Sequence, residues 1–183
     1  MKTHSGADLD FLAPKNINLE DVALGLSRQP RFAGQTSRPF SVAQHSLLVA
    51  RLCPLHALQA LLHDAQEAFL GDIPTPAKEA MRTFGRSPYD ELEKRLHTAI
   101  ARSVGIDPEI PVSVHLADRK ARDIEGAVLH PAWKKKSHKE IADLLELPDG
   151  GRELWLSEVR KHLESPYKRF REERSRTYAM RGG

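Results

Sequence analysis

Residues 58–72 carry a helical period whose polar side lacks counter-charges, and that lack constrains what the chain can fold around. At about 100° per residue, Leu58, Leu61, Leu62, Ala65 and Phe69 form one apolar stripe, while Ala60, His63, Asp64 and Glu67 gather opposite it. No Lys or Arg occurs between Leu52 and Ala77, so Asp64, Glu67 and Asp72 repel one another with no local cation to offset them. Something positive must come from elsewhere. His63 beside Asp64 points to a divalent ion, since imidazole and carboxylate together suit a transition metal.

The surrounding chain reads as helices. Asn18 with Asp21 caps a segment whose Leu19, Val22, Ala23 and Leu26 mark a buried face, and Gln29-Pro30 ends it. Residues 31–39, with two arginines and Phe32, form a loop. Ser41 and Gln44 stand three apart, which predicts a capping box opening a helix that carries His45 and stops before Pro54. One central helix is then expected over residues 55–69, broken by Gly71, Pro74 and Pro76, with a short helix over 77–83. Ser87-Pro88 starts another, whose stripe is Leu92, Leu96, Ala99, Ile100 and Val104. A further helix covers 112–130, with Ala117, Ala121, Ile124 and Val128 along one side, and Trp155, Leu156, Val159 and Leu163 mark a last one.

No strand pattern survives beyond the N-terminal segment, so the fold class is all-α. One domain is expected over 1–183: an arm or small β-hairpin over 1–17, a helical core over 18–130, and a basic helical extension over 131–183. With 40% hydrophobic and 29% charged residues, the composition is globular, and no apolar run approaches the roughly 20 residues of a membrane span. The start lacks a signal-type hydrophobic stretch, which predicts a cytoplasmic protein without membrane contact. Cys53 is expected to be buried and structural. The net charge of +3 favours anionic ligands only weakly, and the tail interleaves its Lys and Arg with Glu, so a nucleic-acid polymer is not an expected partner.

One helical turn cannot surround an ion. His45 lies in the helix before His63-Asp64, and Asp118 in a later one, with Asp123 an alternative there and His115 a candidate for the surroundings. Together His45, His63, Asp64 and Asp118 would offer two nitrogens and two oxygens. Lys78, after Pro74-x-Pro76, is a candidate cation for phosphate.

Gln44-His45-Ser46, His63-Asp64-x-x-Glu67, Gly71-Asp72-Ile73-Pro74-Thr75-Pro76-Ala77-Lys78 and Ala117-Asp118 resemble the HD-domain phosphohydrolases. The likeness is closest to the 5′-deoxynucleotidase branch and to related phage deoxynucleoside triphosphate triphosphohydrolases, and it covers about the first two thirds of the chain. The resemblance implies one divalent ion (Co, Mn or Zn, with Mg or Ni as further options) on His45, His63, Asp64 and Asp118. It implies Glu67 as the acid/base group, Asp72 facing the sugar and helping the water, and Arg31-Phe32 at the phosphate and nucleoside. Well-known relatives carry tryptophan where this chain has Phe32, so their base and sugar selectivity does not transfer.

The first expectation is a nucleotidase acting on deoxynucleoside 5′-monophosphates, working as a homo-oligomer, dimeric or hexameric. The second is a triphosphohydrolase attacking the same bond, served by Lys78, Arg82 and Arg86 or by a neighbouring subunit. The third is a non-catalytic nucleotide sensor, against which intact Glu67 and Asp72 argue.

Overall fold

The computed structural model describes residues 1–85, 87–130 and 139–164. Arg86, Trp133, His138, the lysine run at 134–136 and the tail beyond Glu164 lie outside the described residues. The fold is all-α. Its axis is α2 (Val42–Leu52), in which every residue from Val42 to Val49 is buried, His45 and Gln44 included. A helix apolar nearly all round must be enclosed, and α2 is packed by α1 (Leu19–Arg28), α3 (Ala57–Leu62), α7 (Val112–Leu129) and α9 (Arg152–Glu164).

The capping box at α2 forms in full. The Ser41 hydroxyl accepts from Gln44 N at 3.1 Å, and the Gln44 side-chain oxygen accepts from Ser41 N at 2.8 Å. Asn18 caps α1 by accepting from Glu20 N at 2.9 Å. Asp21, read from sequence as part of that cap, does something else: its carboxylate accepts from Ser5 N at 2.8 Å and Ser5 Oγ at 2.7 Å, fastening the arm to α1. The arm is a small hairpin, with Lys2 bridged to Asp8 across a turn at Gly6.

The expected continuous helix over 55–69 is broken. A short 3-10 turn at Pro54–His56 leads into α3, and the chain then tightens through 63–66 before α4 (Glu67–Leu70). Hydrogen-bond accounting explains the break. The Ala60 carbonyl accepts from His63 Nδ1 at 2.7 Å, and the Leu61 carbonyl accepts from the buried Trp155 indole at 3.0 Å. With those acceptors engaged by side chains, the following amides close three residues back, as in Ala65 N to Leu62 O and Glu67 N to Asp64 O. Gly71 then ends α4 at φ 85°, a left-handed conformation that glycine adopts without penalty.

The rest frames this break. α5 (Thr75–Thr83) begins two residues earlier than expected, with Pro76 in its first turn, and α6 (Pro88–Ser103) has Ser87 at its N-cap position without a side-chain bond to the helix. Residues 139–164, read from sequence as part of a basic extension, contribute Ile141, Leu144, Trp155, Leu156 and Val159 to the common core. Cys53 is buried. No single helix among the described residues is long and apolar enough to cross a membrane, and the apolar pair Val42–Leu52 and Pro54–Leu70 is bent by 117°.

Gly25 places α4 directly on α1. A Cβ there would stand 2.5 Å from the Ala68 carbonyl oxygen and 2.8 Å from its Cα. A helical Gly→Ala change ordinarily gains about 0.5–1 kcal/mol, whereas overpacking costs about 1–3 kcal/mol. The clash is with backbone, so overpacking wins: Gly25→Ala is predicted to lower the unfolding free energy by about 1–2 kcal/mol in a denaturant titration, and an unchanged or raised midpoint would show that α1 and α4 do not touch in this way.

Candidate metal centre and its surroundings

The break after α3 turns His63 inward while α2 presents His45 across from it. The two Nε2 atoms face each other at 3.3 Å. Asp64 Oδ2 stands 3.1 Å from His63 Nε2 and 3.5 Å from His45 Nε2, and Asp118 Oδ1, from α7, stands 3.2 Å from His45 Nε2 and 4.0 Å from His63 Nε2. All four predicted ligands are thus brought together. The alternatives fall away: Asp123 and His115 are exposed on α7.

The tautomers make the arrangement demanding. A carbonyl can only accept, so His63 Nδ1 donates to Ala60 O and its Nε2 points toward His45. His45 Nδ1 donates to the carboxylate Oε1 of Glu125 at 2.6 Å, which turns its own Nε2 toward the same point. Two imidazole Nε2 atoms and two carboxylate oxygens therefore point into one small volume, where a proton on an imidazole or a metal ion would balance the carboxylates. Donors about 2.1 Å from one ion stand about 3.0–3.4 Å apart at octahedral or tetrahedral angles, close to the separations found except for His63 Nε2 to Asp118 Oδ1. His45, His63 and Asp118 could hold a metal ion, and Asp64 stands beside both imidazoles but outside that group.

The electrostatics agree. Burial raises the cost of ionising Asp64, but His63 and His45 overcome it and hold the carboxyl well below its usual range. Burial and Arg31 work against charge on His45, yet Glu125, Asp118 and Asp64 prevail and raise its pKa well above the ordinary imidazole value. A proton on His45 or a metal ion would meet the same excess of negative charge.

Glu67 sits at the head of α4, 3% exposed, with Oε2 lacking a hydrogen-bond partner. Burial first, then Asp64 and Asp72, push its carboxyl up to about 10 against the pull of Arg31 and Lys78. Lys78 approaches Glu67 to 3.9 Å but bonds Glu93 of α6 at 2.8 Å, and lies 5.6 Å from the Tyr89 ring centre. Asp72 follows Gly71 and pairs with Arg31 at 3.1 Å, both side chains only 11% exposed. Burial and Asp64 raise the Asp72 carboxyl despite Arg31.

Arg31 is aimed inward by an unusual backbone. Phe32 and Ala33 take φ of 54° and 51°, and Gly34 continues the left-handed run at 75°. Each such non-glycine residue costs about 1–3 kcal/mol. The turn is held at both ends by Arg31 N to Phe40 O at 2.9 Å and Ser37 N to Leu129 O at 2.8 Å. Phe32 is half-buried, its ring 5.6 Å from the Arg31 guanidinium carbon. Sequence reasoning missed Glu125, Glu93 and Tyr89. Glu125 had a signal: it lies seven residues after Asp118, two turns along the same face of α7.

A cation held by these side chains and not by the unfolded chain must stabilise the fold. Mn2+ or Co2+ at 100 times its dissociation constant is expected to add about 2.7 kcal/mol, seen as a raised Tm that EDTA reverses. His63→Ala should abolish that shift. A Tm indifferent to every divalent ion would contradict the metal reading.

No family model matches the chain. It is 36% identical to the uncharacterized protein YfdR of Escherichia coli (strain K12), over 64% of this chain and 65% of that one. It is 41% identical to an uncharacterized protein of Rhodobacter capsulatus, over 64% of each. The chain thus spans just under two thirds of the length of these curated relatives, and neither name states an activity.

Proposed function

We propose that the chain is a metal-dependent phosphohydrolase of the HD-domain type, removing the 5′-phosphate from deoxynucleoside monophosphates. The observation that carries the reading is the meeting of two imidazoles and two carboxylates from three segments beside a buried carboxyl, Glu67, that has an unpartnered oxygen. When held by His45, His63, Asp64 and Asp118, a divalent transition ion such as Co, Mn or Zn supplies Lewis acidity toward water and phosphoryl oxygen.

The chain's own residues do the rest. Arg31 carries a planar fork of donors suited to a phosphate, already ordered between Asp72 and Glu125. Attack of water on phosphorus breaks the bond to the nucleoside 5′-oxygen. Glu67, protonated near neutral pH, gives its proton to the departing oxygen and takes back the one that water gives up. A carboxyl pushed up by burial and drawn down by Arg31 and Lys78 is suited to hold a proton in one step and release it in the next. Asp72, fixed by Arg31, stands where the Gly71 turn brings the chain back toward the site and would meet the sugar and the water.

The neighbouring cations favour a monophosphate over a triphosphate. Lys78 is engaged by Glu93, and Arg82 forks onto Asp90 at 2.8 and 3.1 Å. A β,γ-diphosphate would have to share those donors with their carboxylates, in addition to the sharing of Arg31 with Asp72 and Glu125 that a single phosphate requires. Arg86 lies outside the described residues.

Purified protein incubated with dNMPs, NMPs and dNTPs, each with Mn2+, Co2+ or chelator, is expected to release inorganic phosphate from dNMPs only when metal is present. Release of triphosphate from dNTPs would favour the triphosphohydrolase, and inertness with metal bound would favour the sensor. Glu67→Gln is predicted to lower kcat about 10²- to 10⁴-fold while Mn2+ still binds; loss of Mn2+ instead would make Glu67 a ligand.

A further inference from the structure

We propose that Glu125 is a positioning residue that sets both halves of the site with one carboxylate: the metal ligand His45 through one oxygen, and the phosphate-binding Arg31 through the other. It rests on His45 holding a metal and Arg31 meeting an anion, not on hydrolysis. Glu125 is fully buried in α7. Its Oε1 accepts from His45 Nδ1 at 2.6 Å, and its Oε2 accepts from Arg31 Nε and Nη2, each at 3.4 Å. Arg31 Nη1 then reaches Asp72 Oδ2 at 3.1 Å. A continuous path of buried or nearly buried contacts thus runs from a metal ligand to the residue expected at the sugar.

A carboxylate taken fully out of water must be matched by donors and positive charge, or its burial is prohibitive. Here each oxygen has its own partner, and the two partners belong to different parts of the site. On the metal side, the contact fixes the His45 ring with Nε2 inward and raises its basicity. On the phosphate side, it orders a long side chain that would otherwise surrender rotamer freedom when an anion binds. Because α7 supplies both Asp118 and Glu125, one rigid helix places a metal ligand and the support of another.

The amide of glutamine has the same shape but only one accepting atom, so Glu125→Gln must set a donor against either His45 Nδ1–H or the Arg31 guanidinium. Mn2+ affinity, measured by isothermal titration calorimetry, is expected to fall about 10- to 100-fold. The effect of Arg31→Met on Mn2+ affinity should differ by about threefold or more between the Glu125 and Glu125→Gln backgrounds, as for residues that share a partner. Additive effects, or an unchanged Mn2+ affinity in Glu125→Gln, would overturn the proposal.

The wild type keeps it testable should Glu125→Gln not fold. In proton NMR of the wild type, a downfield His45 Nδ1–H, assigned by its loss in His45→Gln and slow to exchange with solvent, is expected; its absence from the folded protein would overturn the proposal. None of these readouts requires turnover. A chain that binds Mn2+ and hydrolyses nothing would end the phosphohydrolase reading and leave this one intact, whereas a wild type that binds no Mn2+ would end both.

Discussion

Negative charge gathered in one water-poor volume is the constraint on which this structure depends. Asp64, Glu67, Asp72, Asp118 and Glu125 converge, two of them almost fully buried, against the fixed charges of Arg31 and Lys78 and two imidazoles whose Nε2 atoms face each other. Carboxylates at such separations inside a protein raise one another's pKa or recruit a cation. Burial with Asp64 and Asp72 pushes the Glu67 carboxyl up, while the histidines beside Asp64 hold its carboxyl down.

The fold is arranged to keep these groups from drifting apart. α2 is buried from Val42 to Val49, so His45 has no freedom to retreat. The helix that would have carried His63 through Glu67 is interrupted, and the carbonyls at the break are satisfied by His63 itself and by Trp155 from the far end of the described chain. The core residues of α9 thereby take part in shaping the site. Gly25 lets α4 rest on α1, which fixes the depth of Glu67. The left-handed turn after Arg31 is a local cost offset by its backbone bonds to Phe40 and Leu129.

Much of this was legible in the sequence because it rests on periodicity and on short-range chemistry. The Ser41–Gln44 capping box, the stripe of 112–130 and the missing cations around 58–72 each reflect contacts made within a turn or two of helix, and they led to His45, His63, Asp64 and Asp118. What was not legible depends on distant partners. The helical period of 55–69 is intact, and only the indole of Trp155 and the ring of His63 competing for carbonyls break it. Asp21 looks like a cap residue until Ser5 folds back onto it. Glu125 was passed over because a glutamate on a helix with basic neighbours looks solvated, and nothing local shows that His45 and Arg31 converge on it. Glu93 was hidden in the same way by its partner Lys78.

Anomalous X-ray scattering from crystals grown with Mn2+, collected near the manganese edge, would locate the ion between these side chains. The account predicts one strong peak per chain, bounded by His45 Nε2, His63 Nε2, an Asp64 oxygen and Asp118 Oδ1. No peak there, with the two imidazoles still face to face and a proton between them, would contradict it.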